Sequence, residues 1–409
     1  MTPPSKLHSI HYGWIIVAAG SFVLFSCLGL ARFAYTVILP AMRAGLELPY
    51  DRMGLIGTAN FIGYLGAVLL SPVLVRLVRP RFTIAAALLL IAAGMLGISR
   101  AESLSAVAFL YAVVGLGSGF ANIPMMVLVT YWFHSEQRGK AAGLVIGGNG
   151  IGIMFAGFVI PLLNQSFGAD GWRIGWLVLG LLSLAIAACA GLLLRNNPSG
   201  MGLEPVGRPL TVSPDKIAPR KVRGEGKILM RLGLLYLIFG ATFMVYGTFI
   251  VTTMVQEYGF SEQKAGLFWS WVGFFSLFSG VGFGALSDLI GRKSGLALVF
   301  AVQTAAYLLV GLELGGAGLI VSIVLYGLAV FAIPAIMAAA MGDYLGLSRA
   351  ATAFATVTLF FAFGQTIGPF GAGLIARTTG SFTTAYLAAA LLTACAAVLA
   401  ATLPSPGED

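Results

Sequence analysis

Residues 13–40, GWIIVAAGSFVLFSCLGLARFAYTVILP, carry one charged side chain, Arg32, in an otherwise apolar run. A hydrocarbon core about 30 Å thick takes roughly 20 apolar residues of helix, so the stretch reads as a membrane span. Further stretches of the same kind lie near 53–76, 82–99, 104–131, 138–163 and 173–195, and again near 229–256, 264–287, 294–314, 317–341, 349–376 and 381–403. Together they leave nothing over for a soluble domain. The expected fold is an all-α polytopic membrane protein with twelve transmembrane helices. An ionisable group inside such a span costs several kcal/mol unless it faces a cavity or a partner, which makes Arg32 a functional candidate.

Composition agrees with that reading. Hydrophobic residues are 58% of the chain and charged ones 10%, far below the roughly 25% charged of a soluble globular protein. The 54 glycines suit helices that must approach closely in lipid, where no hydrophobic force drives them together. The net charge of +9 does not point to nucleic acid, because its distribution is topological. The basic groups Arg76, Arg79 and Arg81, then Arg220, Lys221, Arg223 and Lys227, then Arg292 and Lys293 fall on loops of one side. The positive-inside rule then places both termini in the cytoplasm. Cys27, Cys189 and Cys395 sit within apolar runs at no metal-binding spacing and read as packing residues. The N-terminal apolar run is much longer than a signal-peptide core, so the first span is expected to be retained.

The spans divide six and six. Residues 196–228, with Pro198, Pro205, Pro209 and Pro214 and a dense basic set, read as a cytoplasmic linker between bundles 1–195 and 229–409. The halves echo one another. Gly115-Leu116 leads to Phe120-Ala121-Asn122-Ile123-Pro124, and Gly327-Leu328 leads to Phe331-Ala332-Ile333-Pro334; Arg138 and Arg349 follow just before the next spans. Repeats with a midplane site between them are the architecture of secondary transporters.

Between spans 8 and 9 runs Gly284-Ala285-Leu286-Ser287-Asp288-Leu289-Ile290-Gly291-Arg292-Lys293. A Gly, an Asp four later, then Gly and two basic residues resembles the cytoplasmic loop signature of the major facilitator superfamily. The resemblance extends over essentially the whole chain and implies two six-helix bundles. It also implies that Gly284, Asp288, Gly291, Arg292 and Lys293 latch the cytoplasmic face, with Arg138 at the start of span 5 as the expected partner. A carboxylate near a helix N-terminus gains roughly 0.3–1 kcal/mol from the dipole, enough to bias a rocking equilibrium. The first half departs from the pattern: Ser71 to Phe82 has basic residues but no Asp. His11-Tyr12-Gly13-Trp14, and Tyr131-Trp132-Phe133 followed by Arg138-Gly139-Lys140, are similar to monocarboxylate and oxalate–formate porters. Gly29-Leu30-Ala31-Arg32-Phe33-Ala34-Tyr35 with Leu39-Pro40 resembles the YbfB/YjiJ-like branch.

No Asp, Glu or His falls clearly within a span, so a midplane proton relay is not evident. Arg32, about 12 Å below the end of its span if that end is Pro40, becomes the electrostatic centre. A guanidinium fork matches a carboxylate, and a substrate carboxylate is expected to supply the missing charge; snorkelling towards the surface is the competing reading. Family geometry, in which spans 1, 4, 7 and 10 line the path, adds Tyr35, Asn122, Tyr246, Tyr326 and Phe331, with Gln365 from span 11. Asn60 and Asn149 are expected to hydrogen-bond between helices, and Trp269 and Trp271 to anchor the interface. The expected protein is a monomeric carrier in a bacterial inner membrane. It moves a small organic anion, a monocarboxylate above all, by anion exchange or with a co-transported proton. No cofactor or metal is called for, and the groups an embedded enzyme or a channel needs are not in evidence. The alternative is an efflux transporter for amphipathic compounds.

Overall fold

The computed structural model describes residues 11–208 and 225–404; Lys6, His8, Arg220, Lys221 and Arg223, the stretch 209–224 of the linker, and the Arg76 side chain lie outside them. Among the described residues the chain is helical apart from a single bridge pairing Phe133 with Val206. Eleven helical segments are long and apolar enough to cross a membrane. One of them, Ser135–Leu193, turns back at Gly168–Asp170 into two helices, Ser135–Phe167 and Gly171–Leu193, which makes twelve crossings.

The crossings are numbered in chain order. Span 1 is Tyr12–Gly45, span 2 begins at Tyr50, span 3 is Pro80–Ile98, span 4 Leu104–Trp132, span 5 Ser135–Phe167 and span 6 Gly171–Leu193. Span 7 is Glu225–Gln256, span 8 Glu262–Ile290, span 9 Arg292–Gly311, span 10 Gly315–Leu345, span 11 ends at Thr379 and span 12 is Thr383–Ala401. Two spans are discontinuous. Span 1 holds a π-helical segment, Phe25–Phe33, between α-helical Tyr12–Leu24 and Ala34–Gly45. Span 10 breaks between Gly315–Ala329 and Ala332–Leu345.

Polar side chains set several starts. Ser103 Oγ accepts from the Ala106 N–H and Ser261 Oγ from the Lys264 N–H, each at 3.3 Å, capping spans 4 and 8. Gly291, at φ +87°, joins spans 8 and 9 in a backbone conformation that a side chain would strain.

Spans 1–6 pack chiefly among themselves, as do spans 7–12, and the halves meet along spans 2 and 11 and along spans 5 and 8. Small residues make these seams possible, because the backbones touch. A Cβ on Gly373 would lie 2.7 Å from the Tyr50 carbonyl oxygen, and one on Gly273 2.6 Å from the Gly150 carbonyl oxygen. Lipid-embedded helices gain their packing through such close approach.

The halves do not meet equally at both ends. On the face away from the termini, the far face, Arg377 Nη1 pairs with Asp51 Oδ2 at 3.0 Å, and Thr58 donates to the Thr366 carbonyl at 2.8 Å. Arg43 and Tyr50 both donate to Gln256 Oε1, and the Tyr50 ring meets Phe382 edge-on at 5.0 Å. Towards the terminal face spans 5 and 8 part from one another. Gly139 and Gly143 of span 5 and Gly282 and Gly284 of span 8 have nothing within 4 Å of where a Cβ would stand. The molecule is closed on its far face and parted on its terminal face.

The asymmetry predicts opposite responses to added bulk. Gly373→Val, at the far-face contact of span 11 with Tyr50 of span 2, should cost about 1–3 kcal/mol by overpacking. Gly139→Ala should be neutral or stabilising by up to about 1 kcal/mol through helix propensity. Thermal unfolding of the two purified variants in one detergent reads the difference, and equal Tm values would contradict the assignment.

Candidate functional site

Arg32 lies in the π-helical segment near the middle of span 1, thirteen residues before its end at Gly45. The helix continues through Pro40, so the residue sits about 20 Å from that end at 1.5 Å per residue, deeper than Pro40 as terminus implies. It does not snorkel: it is 9% exposed, with its guanidinium stacked on the rings of Tyr64 (4.4 Å) and Phe61 (5.0 Å) from span 2. Asn122 of span 4 donates to the Tyr64 hydroxyl at 3.1 Å and so fixes that ring. Nη1 reaches Gln365 Oε1 of span 11 at 3.4 Å, a long bond across the halves.

The remaining donors decide what the site can do. Nε and Nη2 of Arg32 have no hydrogen-bond partner, nor has Nε2 of Gln365. Nε and Nη2 form one edge of the guanidinium, the edge whose two parallel N–H groups match a carboxylate. Phe61 and Tyr64 of span 2 pack on the guanidinium, and the Nε–Nη2 edge is the part of it left for a ligand. No Asp or Glu lies within ion-pair distance among the described residues. Every described acid and histidine stands in a loop or near a span end. The guanidinium is therefore a lone buried cation.

Of the residues singled out from sequence, Arg32, Asn122 and Gln365 come together here, and Phe331 flanks them through ring contact with Phe33 at 6.2 Å. The others are placed elsewhere. The Tyr35 hydroxyl donates to the Met53 carbonyl at 2.9 Å and its ring packs on Tyr111 at 5.0 Å. Tyr246 and Tyr326 stack on one another at 4.0 Å inside the second half. Tyr246 pairs with Ser322 and Tyr326 donates to the Phe243 carbonyl, so both hydroxyls are engaged away from Arg32. Asn60 bridges helices as expected, donating to the Tyr111 carbonyl at 3.1 Å, whereas buried Asn149 has an unpartnered Oδ1. Trp269 is not an interfacial anchor: it is fully buried, 6.3 Å from Phe33, while Trp271 is part-exposed. Residues that sequence reasoning missed are Phe61 and Tyr64, three apart in span 2, and Phe361, one turn before Gln365. Tyr64 alone carried a signal, standing one helical turn after Asn60 in an apolar run.

The loop after span 8 forms a second polar cluster on the terminal face. Arg292 Nη1 pairs with Asp288 at 2.5 Å and its Nε with Asp343 at 2.6 Å, and Nη1 also donates to Ser287. They line a cleft of about 310 Å³ with Gly291. Asp343, from the end of span 10, is the member sequence reasoning did not include. Arg138 is not the partner here: its Nε donates to the Phe133 carbonyl at 3.4 Å, within the first half. Gly284 faces open space, and no partner is recorded for Lys293 among the described residues.

A twelve-crossing helical fold, two halves meeting unequally at the two faces and a polar site at mid-depth between them define a membrane carrier. The chain belongs to the family described as "Uncharacterised MFS-type transporter YbfB", whose pattern it matches over residues 24–402. It is a multi-pass transporter of the major facilitator type. Monocarboxylate transporter 2 of Homo sapiens is 25% identical over 95% of this chain and 84% of its own length. Nitrate transporter 2.2 of Chlamydomonas reinhardtii is also 25% identical, over 68% of this chain; the match spans about half, 55%, of that relative's length. Among solved structures, the D-xylose–proton symporter shares the fold at a TM-score of 0.76 and 16% identity, covering 98% of this chain and 100% of its own. A bacterial homologue of the human lysosomal transporter Spinster, inward-facing and unoccupied, does so at 0.72 and 15%, covering 96% and 95%.

The far-face closure is measurable. The Asp51 side chain is 11% exposed and that of Arg377 60%, so screening holds the pair to about 0.5–1 kcal/mol. Asp51→Asn should then raise the open fraction of that face about two- to fivefold. Alkylation of Thr58→Cys, in a background lacking the native cysteines, should accelerate by that factor; an unchanged rate would mean that the pair holds nothing shut.

Proposed function

We propose that this transporter carries a small organic anion, in the first place a monocarboxylate, by alternating access, with Arg32 as the group that binds its charge. The observation that carries the reading is the unpaired Nε–Nη2 edge of a guanidinium that is nine-tenths buried and lacks a protein counter-ion. An arginine keeps its proton in proteins, and a desolvated charge without a partner is costly. A bound carboxylate removes that cost and gains two charge-assisted hydrogen bonds. The similarity to monocarboxylate transporters supports the same substrate class.

In the proposed cycle the bundles 1–195 and 229–409, joined through 196–228, rock about this site. The terminal face is assigned to the cytoplasm of a bacterial inner membrane by its basic loops, which makes the structure inward-open. Substrate reaches Arg32 between the parted ends of spans 5 and 8. Closing those ends brings Asp288 and Arg292, with Gly284, Gly291 and Lys293, towards Arg138, while the Asp51–Arg377 contact on the far face breaks. Exchange of one anion for another is the coupling the site favours. The substrate neutralises Arg32 as the halves close, and no carboxylate or imidazole stands at mid-depth among the described residues to carry a proton instead. A proton entering with the substrate is the other option. The carrier is taken to work as a monomer. Efflux of amphipathic compounds is the second reading, favoured by the aromatic rings that face Arg32 across the site.

Thermal unfolding of the purified protein tests the assignment. A ligand that binds only the folded state raises its stability by about 2.7 kcal/mol at a hundredfold excess over Kd. Monocarboxylates should raise the Tm of the wild type and leave that of Arg32→Ala unmoved. If lipophilic cations stabilise both proteins equally and carboxylates neither, Arg32 is structural and the efflux reading takes its place.

A further inference from the structure

The wall opposite Arg32 narrows the substrate beyond its charge. Phe361 lies one helical turn before Gln365 on span 11, so the two share a face, and Gln365 touches the guanidinium. The Phe361 ring stacks on Tyr236 of span 7 at 4.8 Å and 23° and lies 5.6 Å from Phe239 at 18°. Phe239 in turn stacks on Phe243 at 5.1 Å and 23°, and Phe243 meets Phe33, the neighbour of Arg32, at 6.1 Å. Four rings of spans 7 and 11 thus present a nearly parallel tier beside the lone cation. Tyr236, Phe239 and Phe243 are buried, whereas Phe361, like Tyr64 and Asn122, is part-exposed, so the tier meets accessible space at its Phe361 end. The Arg32 edge and Gln365 Nε2 are among the buried polar atoms left without partners.

From this juxtaposition we infer that the substrate is an aryl monocarboxylate, a single carboxylate on a flat aromatic body. The inference rests on the anion reading above and deepens it. The carboxylate accepts from Nε and Nη2 of Arg32 and from Gln365 Nε2, and the ring lies against Phe361 at the exposed end of the tier. Aromatic pairs prefer offset-stacked or edge-to-face geometry and gain beyond the area they bury, so a flat ring is favoured over a puckered one of equal volume. A second carboxylate would have no cation to meet, since Arg32 is the one charged side chain at mid-depth among the described residues. Hydroxyl-rich bodies would lose water against the ring faces without replacement hydrogen bonds.

The probes are benzoate and phenylacetate, cyclohexanecarboxylate as the puckered analogue, terephthalate as the dianion, acetate as the bare anion, and benzamide as the neutral ring. Binding to the full-length protein in detergent is read by thermal shift and by competition with radiolabelled benzoate. Benzoate and phenylacetate should bind at least about tenfold tighter than each of the other probes. Phe361→Leu, which keeps the bulk and removes the ring, should weaken benzoate about three- to tenfold, as expected for one aromatic contact, and leave acetate unchanged. Arg32→Gln should abolish benzoate binding without lowering the Tm of the ligand-free protein. If acetate, cyclohexanecarboxylate or terephthalate binds as tightly as benzoate, or Phe361→Leu weakens all anions alike, the aryl assignment falls while the anion reading stands. If no carboxylate binds, or benzamide binds as well as benzoate and Arg32→Gln changes neither, both fall.

Discussion

A positive charge that cannot be discharged, held at mid-depth where water is scarce, is the constraint on which the rest of this structure depends. The guanidinium of Arg32 costs several kcal/mol in hydrocarbon unless something compensates it. The protein compensates part of it with the ring faces of Tyr64 and Phe61 and one long bond to Gln365. Each of those groups belongs to a different span from Arg32, and Gln365 belongs to the other half. The site therefore exists only when the halves are apposed, and its local arrangement is tied to their relative position.

The glycine seams hold two apolar bundles in close contact, and in the proposed cycle the bundles turn about them. Spans 5 and 8 touch backbone to backbone near Gly150, Gly157, Gly266 and Gly273, then diverge towards Gly139 and Gly284. Close packing at one end and open space at the other make that pair a fulcrum. The ion pairs at the two faces are exposed enough for screening to hold each to a fraction of a kcal/mol or about one. Contacts of that size bias a two-state equilibrium without freezing it.

The fold was legible in the sequence because hydrocarbon imposes length and composition on every span, and the twelve runs stand close to where the helices do. Arg32 was legible for the same reason: charge is conspicuous against an apolar run. Its partners were less so. Asn122 and Gln365 could be picked as polar residues in apolar helices, but Tyr246 and Tyr326 fit that description equally and turned inward to Ser322 and a carbonyl. A hydroxyl at helical spacing does not say which side of its own bundle it faces. Tyr35 fits the description too, and its hydroxyl turned to the Met53 carbonyl. Phe61 and Phe361 stayed hidden, since one more phenylalanine in a membrane helix carries no signal until the partner helix is placed. The loop after span 8 was legible as a motif, but Asp343, about fifty residues on, joins its cluster only through the packing of span 10.

The π-helical segment Phe25–Phe33 has a mechanical consequence of its own. A π turn accommodates surplus backbone relative to an α turn. Shedding one residue of that surplus rotates everything beyond it by about 100° and changes the axial length by about 1.5 Å. Span 1 is in that respect a screw thread with slack at the turn that holds the cation. Its two ends, one packed in the first half and one leaning on span 7, can be wound relative to each other without breaking the rod, and the guanidinium edge is what such winding would re-aim.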